Sequence, residues 1–277
     1  MSQPVPQSFI HYIRRDIRSL KGKSLDPLWC SEDQGPASGF EKPVYHVTRA
    51  INGPAAEVKP GDTIWIVGQL YSPWGKLPAA LDSRIDVTAV TELREDDKHT
   101  GYRFTAAASS RWFPLADSTQ ILQSLETTAR GGTSQPLWPA TNQSIGSFLQ
   151  RMRKLTSDEP LRRWEQSRDL CGFEFISYRL RDGTRAAFNQ VSKVIDSGGC
   201  VFWDRWSLPR RLAERREFVR DDVLQAYLND QIALAKKVWG ICSPLYAASD
   251  SYSALEMNYA QMLGVFQPVS PADNQEA

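Results

Sequence analysis

A few side chains in the second half of this 277-residue chain have types and spacings that can do chemistry. Glu256 follows Tyr252 by four residues, so on a helix the two share one face. A carboxylate there can stabilise a cation developing in a transition state and position an incoming nucleophile. The rival use of Glu256 is a solvated helix carboxylate, and that of Tyr252 is core packing. Tyr178 and Arg179 leave an apolar run at the kind of place where ligands bind in open α/β sheets. The Arg179 guanidinium suits a phosphate or an ion pair with Asp182. Asp204 ends the next apolar run at the same rim, where it can bond a ligand hydroxyl or cap the following loop.

The elements that must position these residues follow a β-α-β-α-β-α grammar from Cys171 onward. Apolar strands are expected at Phe173 to Tyr178, Cys200 to Trp203 and Val238 to Cys242. Helices are expected at Thr184 to Asp196, Arg220 to Lys236 and Tyr252 to Leu263, each with apolar residues at helical spacing. A fourth strand is expected at Val265 to Val269. Short apolar strands alternating with helices imply a parallel sheet covered on both faces, a flavodoxin-like α/β architecture.

The letters on that frame carry a family resemblance. Phe175-Ile176-Ser177-Tyr178-Arg179 with Asp182-Gly183 resembles the first strand and loop of TIR domains. Val201-Phe202-Trp203-Asp204 resembles their second strand, and Ser243-Pro244-Leu245-Tyr246 the exit of their third. Glu256, with an aromatic four positions earlier, stands where enzymatic TIR domains carry an acidic residue. The match covers roughly residues 171–268. It implies a bacterial-type TIR effector that cleaves the nicotinamide-ribose bond of NAD, by hydrolysis or cyclisation, in antiviral defence. Glu256 would then be catalytic, with Tyr178, Arg179, Asp204 and Tyr252 binding NAD as substrate and no separate cofactor. The loop from Arg205 to Pro209 lacks the family's usual glycine. In the family this loop commonly contacts a neighbouring subunit, which implies a homo-oligomer joined through Trp206. The final strand and helix of the family pattern are missing, so the domain is expected to be C-terminally short.

Residues 1–155 read differently. A helix is expected over Ser8 to Leu20, then strands at Val44 to Thr48, Thr63 to Tyr71, Ile85 to Thr91 and Tyr102 to Ala106. Helices are expected from Asp117 or Ser118 to Leu125, and from Asn142 or Ser144 to about Leu155. Lys59-Pro60-Gly61-Asp62 before an apolar strand resembles PUA-like barrels, some of which recognise nucleic acid or modified bases. This part is expected to be a β-rich sensing domain with flanking helices and a ligand pocket for an activating ligand or partner protein. Trp65, Trp74, Trp112 and Trp138 are either barrel core or a stacking cage. The charged stretch 156–170 reads as a linker, and 171–277 as the TIR-like domain.

Composition excludes little. With 33 Lys+Arg against 32 Asp+Glu, the net charge of +1 gives no basic surplus for nucleic acid or anionic lipid. No apolar run is long enough to span a bilayer, and Met1 to Ile10 has no signal core, so a cytoplasmic protein is expected. Cys30, Cys171, Cys200 and Cys242 lie far apart, and Cys200 and Cys242 flank runs that read as buried strands. His11, His46 and His99 have no metal-ligand spacing. The arginines of Arg205 to Arg220 are interleaved with acids and read as a solvated face. Two other functions remain open: a TIR scaffold that signals by self-association without catalysis, and a nucleic-acid-binding protein whose PUA-like half does the work.

Overall fold

The computed structural model describes residues 5–17, 42–129, 131–139, 143–208, 221–246 and 252–274. Two main sheets organise these residues. The first has seven strands: β1 (Ser8–Asp16), β2 (Tyr45–Thr48), β3 (Thr63–Ser72), β4 (Gly75–Glu95), β5 (Lys98–Ala106), β6 (Arg111–Trp112) and, further on, Arg153–Lys154. A small hairpin of β7 (Glu126–Thr128) and β8 (Ser134–Pro136) separates that last strand, β9, from the rest. The order is β2-β5-β4-β3-β1-β9, with β6 against β4. Neighbours are antiparallel except β1 and β3.

β4 is 21 residues long, and its first half pairs with β3 and its second with β5. Register shifts near Ile66, Gln69, Val87 and Leu93 interrupt the pairing. Such irregularities bend a strand and increase its twist. The sheet curls until His11 of β1 and His46 of β2 meet side chain to side chain, at 2.7 Å. No ladder joins β1 to β2 among the described residues, so the curl is not a closed barrel.

β1 corrects the helix expected over Ser8 to Leu20; residues 18–20 lie outside the described residues. Phe9 and Ile13 pack with Ile64, Ile66, Ile85 and Phe104, while Ile10 packs with Trp65, Val67 and Leu81 in a separate cluster. A strand buried on both faces carries apolar residues at odd and even positions, a pattern that helical spacing also satisfies. The helix expected up to Leu155 is one turn, Ile145–Phe148, followed by β9. The helix expected from Asp117 or Ser118 runs over Thr119–Gln123.

The stretch read as a linker is mostly the helix Glu159–Cys171. Its charges made it look solvated, but Leu161 and Trp164 are buried in one cluster with Ile10 and Trp65. Trp138 and Trp65 belong to this cluster as well, and Trp74 packs beside Phe188, so these rings are packing elements and form no common cage.

The second sheet holds β10 (Glu174–Tyr178), β11 (Val201–Phe202), β12 (Lys237–Ile241) and β13 (Phe266–Val269). All are parallel, in the order β11-β10-β12-β13. The helix Thr184–Asp196 covers one face through Ala187, Phe188, Val191, Val194 and Ile195. Burying each larger side chain contributes roughly 1.5–3 kcal/mol. The other face packs Phe175, Phe202 and Val238 against Tyr227, Leu228, Ile232 and Ala260, from the helices Asp221–Leu234 and Tyr252–Met262. Cys200 is buried just before β11, whereas Cys242, just past β12, is exposed, contrary to its expected burial; Cys30 lies outside the described residues.

The two halves share a core. Leu70, Leu77, Ala80 and Leu115 pack in one cluster with Ala187, Phe188, Trp203 and Trp206, and Leu115 bridges Val201 through the backbone. Among the described residues no helix is long and apolar enough to cross a membrane.

Candidate functional site

Order 2-1-3-4 in a parallel sheet places a topological switch between β10 and β12, and ligands of open α/β sheets bind beyond the strand ends there. The loops after β10 and β12 are tied together at this point. Asp182 accepts from the Ser243 hydroxyl at 2.8 Å and from the Leu245 amide at 3.2 Å. Arg179 donates to the Leu245 carbonyl at 3.4 Å.

Successive strand residues point to opposite faces, and the last two residues of β10 use both. Ser177 faces the helix Tyr252–Met262. It donates to Glu256 Oε2, and its single proton being so used, it accepts from the Tyr246 hydroxyl at 2.8 Å. Gly240 in β12 makes this approach possible: a Cβ there would lie 2.3 Å from the Phe266 ring and 3.1 Å from the Tyr246 oxygen. Tyr178 faces the other way and donates to Asp204 at 2.7 Å. Arg205 Nε donates to the same Tyr178 oxygen at 3.1 Å, so the hydroxyl is held between a carboxylate and a guanidinium.

Burial sets the protonation states. Glu256 is only 7 % exposed. Its pKa is pushed up to about 8, first by desolvation and further by the negative charge of Asp204, against the opposing pull of the Ser177 hydrogen bond. Near neutrality the empty site therefore holds this acid mostly protonated. Burial, assisted by Asp204, also lifts the Tyr178 hydroxyl well above the usual tyrosine range, so it stays a donor. Burial raises Tyr246 likewise.

The expected site residues are thus partly gathered. Glu256 and Asp204 are held by adjacent residues of β10, Ser177 and Tyr178, on opposite faces, and Arg179 follows at the same strand end. Glu256 is a buried acid rather than a solvated rim carboxylate. Tyr252 packs against the apolar cluster containing Phe175 and Phe202. Trp206 is corrected most strongly: at 1 % exposure it lies inside the molecule, over Gly68 of β3, where an added Cβ would sit 2.9 Å from its ring. Its indole donates to the Phe113 carbonyl at 3.4 Å, and its ring carries the guanidinium of Arg15 at 4.4 Å. A side chain enclosed by its own first sheet offers no contact to a second copy.

Reasoning from the sequence missed Ser177, Tyr246 and Arg205 as members of the site. Ser177 and Tyr246 were inside the quoted motifs, but their hydroxyls read as strand and turn residues. Arg205 was grouped with a solvated arginine face, yet it is buried. Residues 209–220, with the rest of that face, lie outside the described residues. Among the described residues no three His, Cys, Asp or Glu side chains gather into a metal-binding group.

The chain matches no protein-family model, no curated protein and no solved structure.

Proposed function

We propose that the parallel-sheet half is a TIR-like, flavodoxin-like unit that cleaves the nicotinamide-ribose bond of NAD at the β10/β12 rim. One observation carries this reading: at the topological switch of a four-stranded parallel sheet, the buried carboxyl of Glu256 is held by the Ser177 hydroxyl at the end of β10. NAD presents a cationic nicotinamide. A cation beside Glu256 favours loss of the acid's proton, and the resulting carboxylate faces a developing ribosyl cation.

The bond from ribose C1′ to the nicotinamide nitrogen breaks, and its electron pair neutralises the pyridinium. Water, or the adenine of the same molecule, then bonds to C1′. In the hydrolytic case NAD and water give ADP-ribose, nicotinamide and one proton. Asp204, engaged by Tyr178 on the other face of β10, keeps free oxygen lone pairs at the strand end with which to accept a ribose hydroxyl. Arg179 reaches across the two loops at the rim, where a diphosphate would lie.

On the family resemblance we further propose a cytoplasmic defence effector whose first half senses an activating ligand or partner. The competing account makes Glu256 a structural acid in a non-catalytic scaffold. Incubating the purified full chain with NAD and assaying free nicotinamide separates the two, with Glu256→Gln as control. Nicotinamide release that the Gln variant abolishes supports catalysis. Release that the variant leaves unchanged removes Glu256 from the mechanism.

A further inference from the structure

The seam left where the first sheet fails to close contains a cavity of about 480 Å³. Its walls come from three places: His11 and Tyr12 of β1, the run Val47 to Asn52 leaving β2, and Gln150 with Arg151 before β9. The volume falls within the roughly 300–1,000 Å³ range of small-molecule sites. None of the residues lining it belongs to the parallel sheet or its rim.

The chemistry of the walls is one-sided. Arg49 and Arg151 are both exposed and come from different segments of the chain, so two arginines line one opening. Among the described lining residues none is Asp or Glu. Thr48, Asn52 and Gln150 add neutral hydrogen-bonding groups and His11 a polar ring, while Tyr12 and Ile51 supply apolar surface. Charge selects an anion. The planar, forked guanidinium matches phosphate oxygens in pairs, and paired arginines suit a phosphate better than an isolated neutral polar group.

We infer that this seam is a binding site for a small phosphate-bearing molecule, separate from the rim of the parallel sheet. Arg49 and Arg151 clamp the phosphate, and the His11 and Tyr12 wall receives the remainder of the ligand. The site stands on its own residues and does not depend on the NAD-cleaving reading.

Calorimetric titration of the full chain with inorganic pyrophosphate, adenosine monophosphate and citrate tests it. Saturable binding of at least one phosphate compound is expected. Arg49→Ala and Arg151→Ala should each weaken it by about tenfold or more, the effect of losing one charge-assisted hydrogen bond. Arg163→Ala, at an exposed arginine of the helix Glu159–Cys171 outside both sites, should leave it unchanged. Ligand-free melting curves of each variant show that binding is compared between folded proteins. Absence of saturable phosphate binding, or binding indifferent to both seam arginines, overturns the site. Loss of binding in Arg179→Ala alone moves the ligand to the parallel-sheet rim and also overturns it. Citrate binding more tightly than either phosphate compound overturns the phosphate assignment.

Discussion

Ser177 and Tyr178, adjacent in β10, send their hydroxyls to opposite faces of the parallel sheet, and each donates to a carboxyl group, Glu256 and Asp204 respectively. The alternation of a strand thus divides two acids between two environments. Glu256 is buried and mostly protonated near neutrality, while Asp204 contributes the negative charge that helps to keep it so.

Stability should record this division. In the folded chain Glu256 has a pKa of about 8, against an ordinary value of 4.5. The folded state therefore holds a proton that the unfolded chain has released between these values, and stability falls as pH rises through that window. The stabilisation from this group is complete below the ordinary value and lost above about 8. Glu256→Gln cannot ionise and should lack the decline. Denaturant unfolding at pH 5.5, 7 and 8.5 should show wild type losing ground to the Gln variant by on the order of a few kcal/mol. Parallel pH profiles for the two proteins would contradict the burial of an ionisable acid at this position.

Turnover should move oppositely. If the carboxylate is the working form, kcat/KM for NAD rises with pH along a limb near the pKa of Glu256 in the free protein. Glu256→Ala and Glu256→Gln should each reduce turnover by about 10²-fold, the scale of losing one key electrostatic group. Gln is the cleaner probe. Ala strands the Ser177 and Tyr246 hydroxyls beside a cavity, at a cost of about 1–3 kcal/mol in stability. A flat pH profile in an active protein would assign the chemistry elsewhere.

Trp206→Ala should act on folding and leave assembly alone. Emptying a site packed between Gly68 and Arg15 costs about 3–5 kcal/mol. Sedimentation of the variant, under conditions where it remains folded, should give the same oligomeric state as the parent. A change of oligomer size without loss of stability would restore the expected intersubunit role.

Arg15 and Asp82 form a buried ion pair, with side chains 5 % and 2 % exposed, and Arg15 also donates to the Trp206 carbonyl. Arg15→Met takes the guanidinium from the buried Asp82 and keeps the Ser83 hydroxyl as its donor, which should destabilise by about 3–5 kcal/mol. Adding Asp82→Leu should recover much of that loss. Chemical denaturation of the two single variants and the double variant measures the coupling, and strict additivity would mean the pair is not held together in solution.

Limited trypsin digestion should spare Arg162, Arg163 and Arg168 until the chain unfolds globally. They lie on a helix anchored by Leu161 and Trp164, and helical backbone so fixed resists a protease. Early cuts at these three arginines would return the stretch to the status of a linker.

The parallel sheet was more legible than the curled one, for a physical reason. In the βαβ half each apolar run is short and is followed by an amphipathic helix; Thr184–Asp196 was expected with the bounds it has. In the first half, β1 is apolar on both faces, and spacing alone cannot separate such a strand from a helix. The long β4 was seen only as Ile85 to Thr91, because its remaining residues mix small, polar and charged types. The positions of Glu256, Tyr178 and Asp204 were readable from spacing, but their burial was not. Whether a carboxylate at a strand end is wet or dry depends on which loops fold over it, and Asp182, Ser243 and Leu245 lock those loops through contacts distant in sequence.

The pairing of β1 has a consequence for how the chain is made. Its parallel partner is β3, and its other edge is completed only by β9, through Phe9 with Lys154 and Ile10 with Arg153. Arg15, at the end of the same strand, waits longer still for Trp206. During synthesis the first strand leaves the ribosome well before β9, and Ile10 well before Leu155, Leu161 and Trp164 of its own cluster. Late-arriving partners of this kind slow folding and expose sticky surface meanwhile. A nascent chain arrested before residue 153 should therefore engage chaperones, and one released beyond residue 206 should let them go.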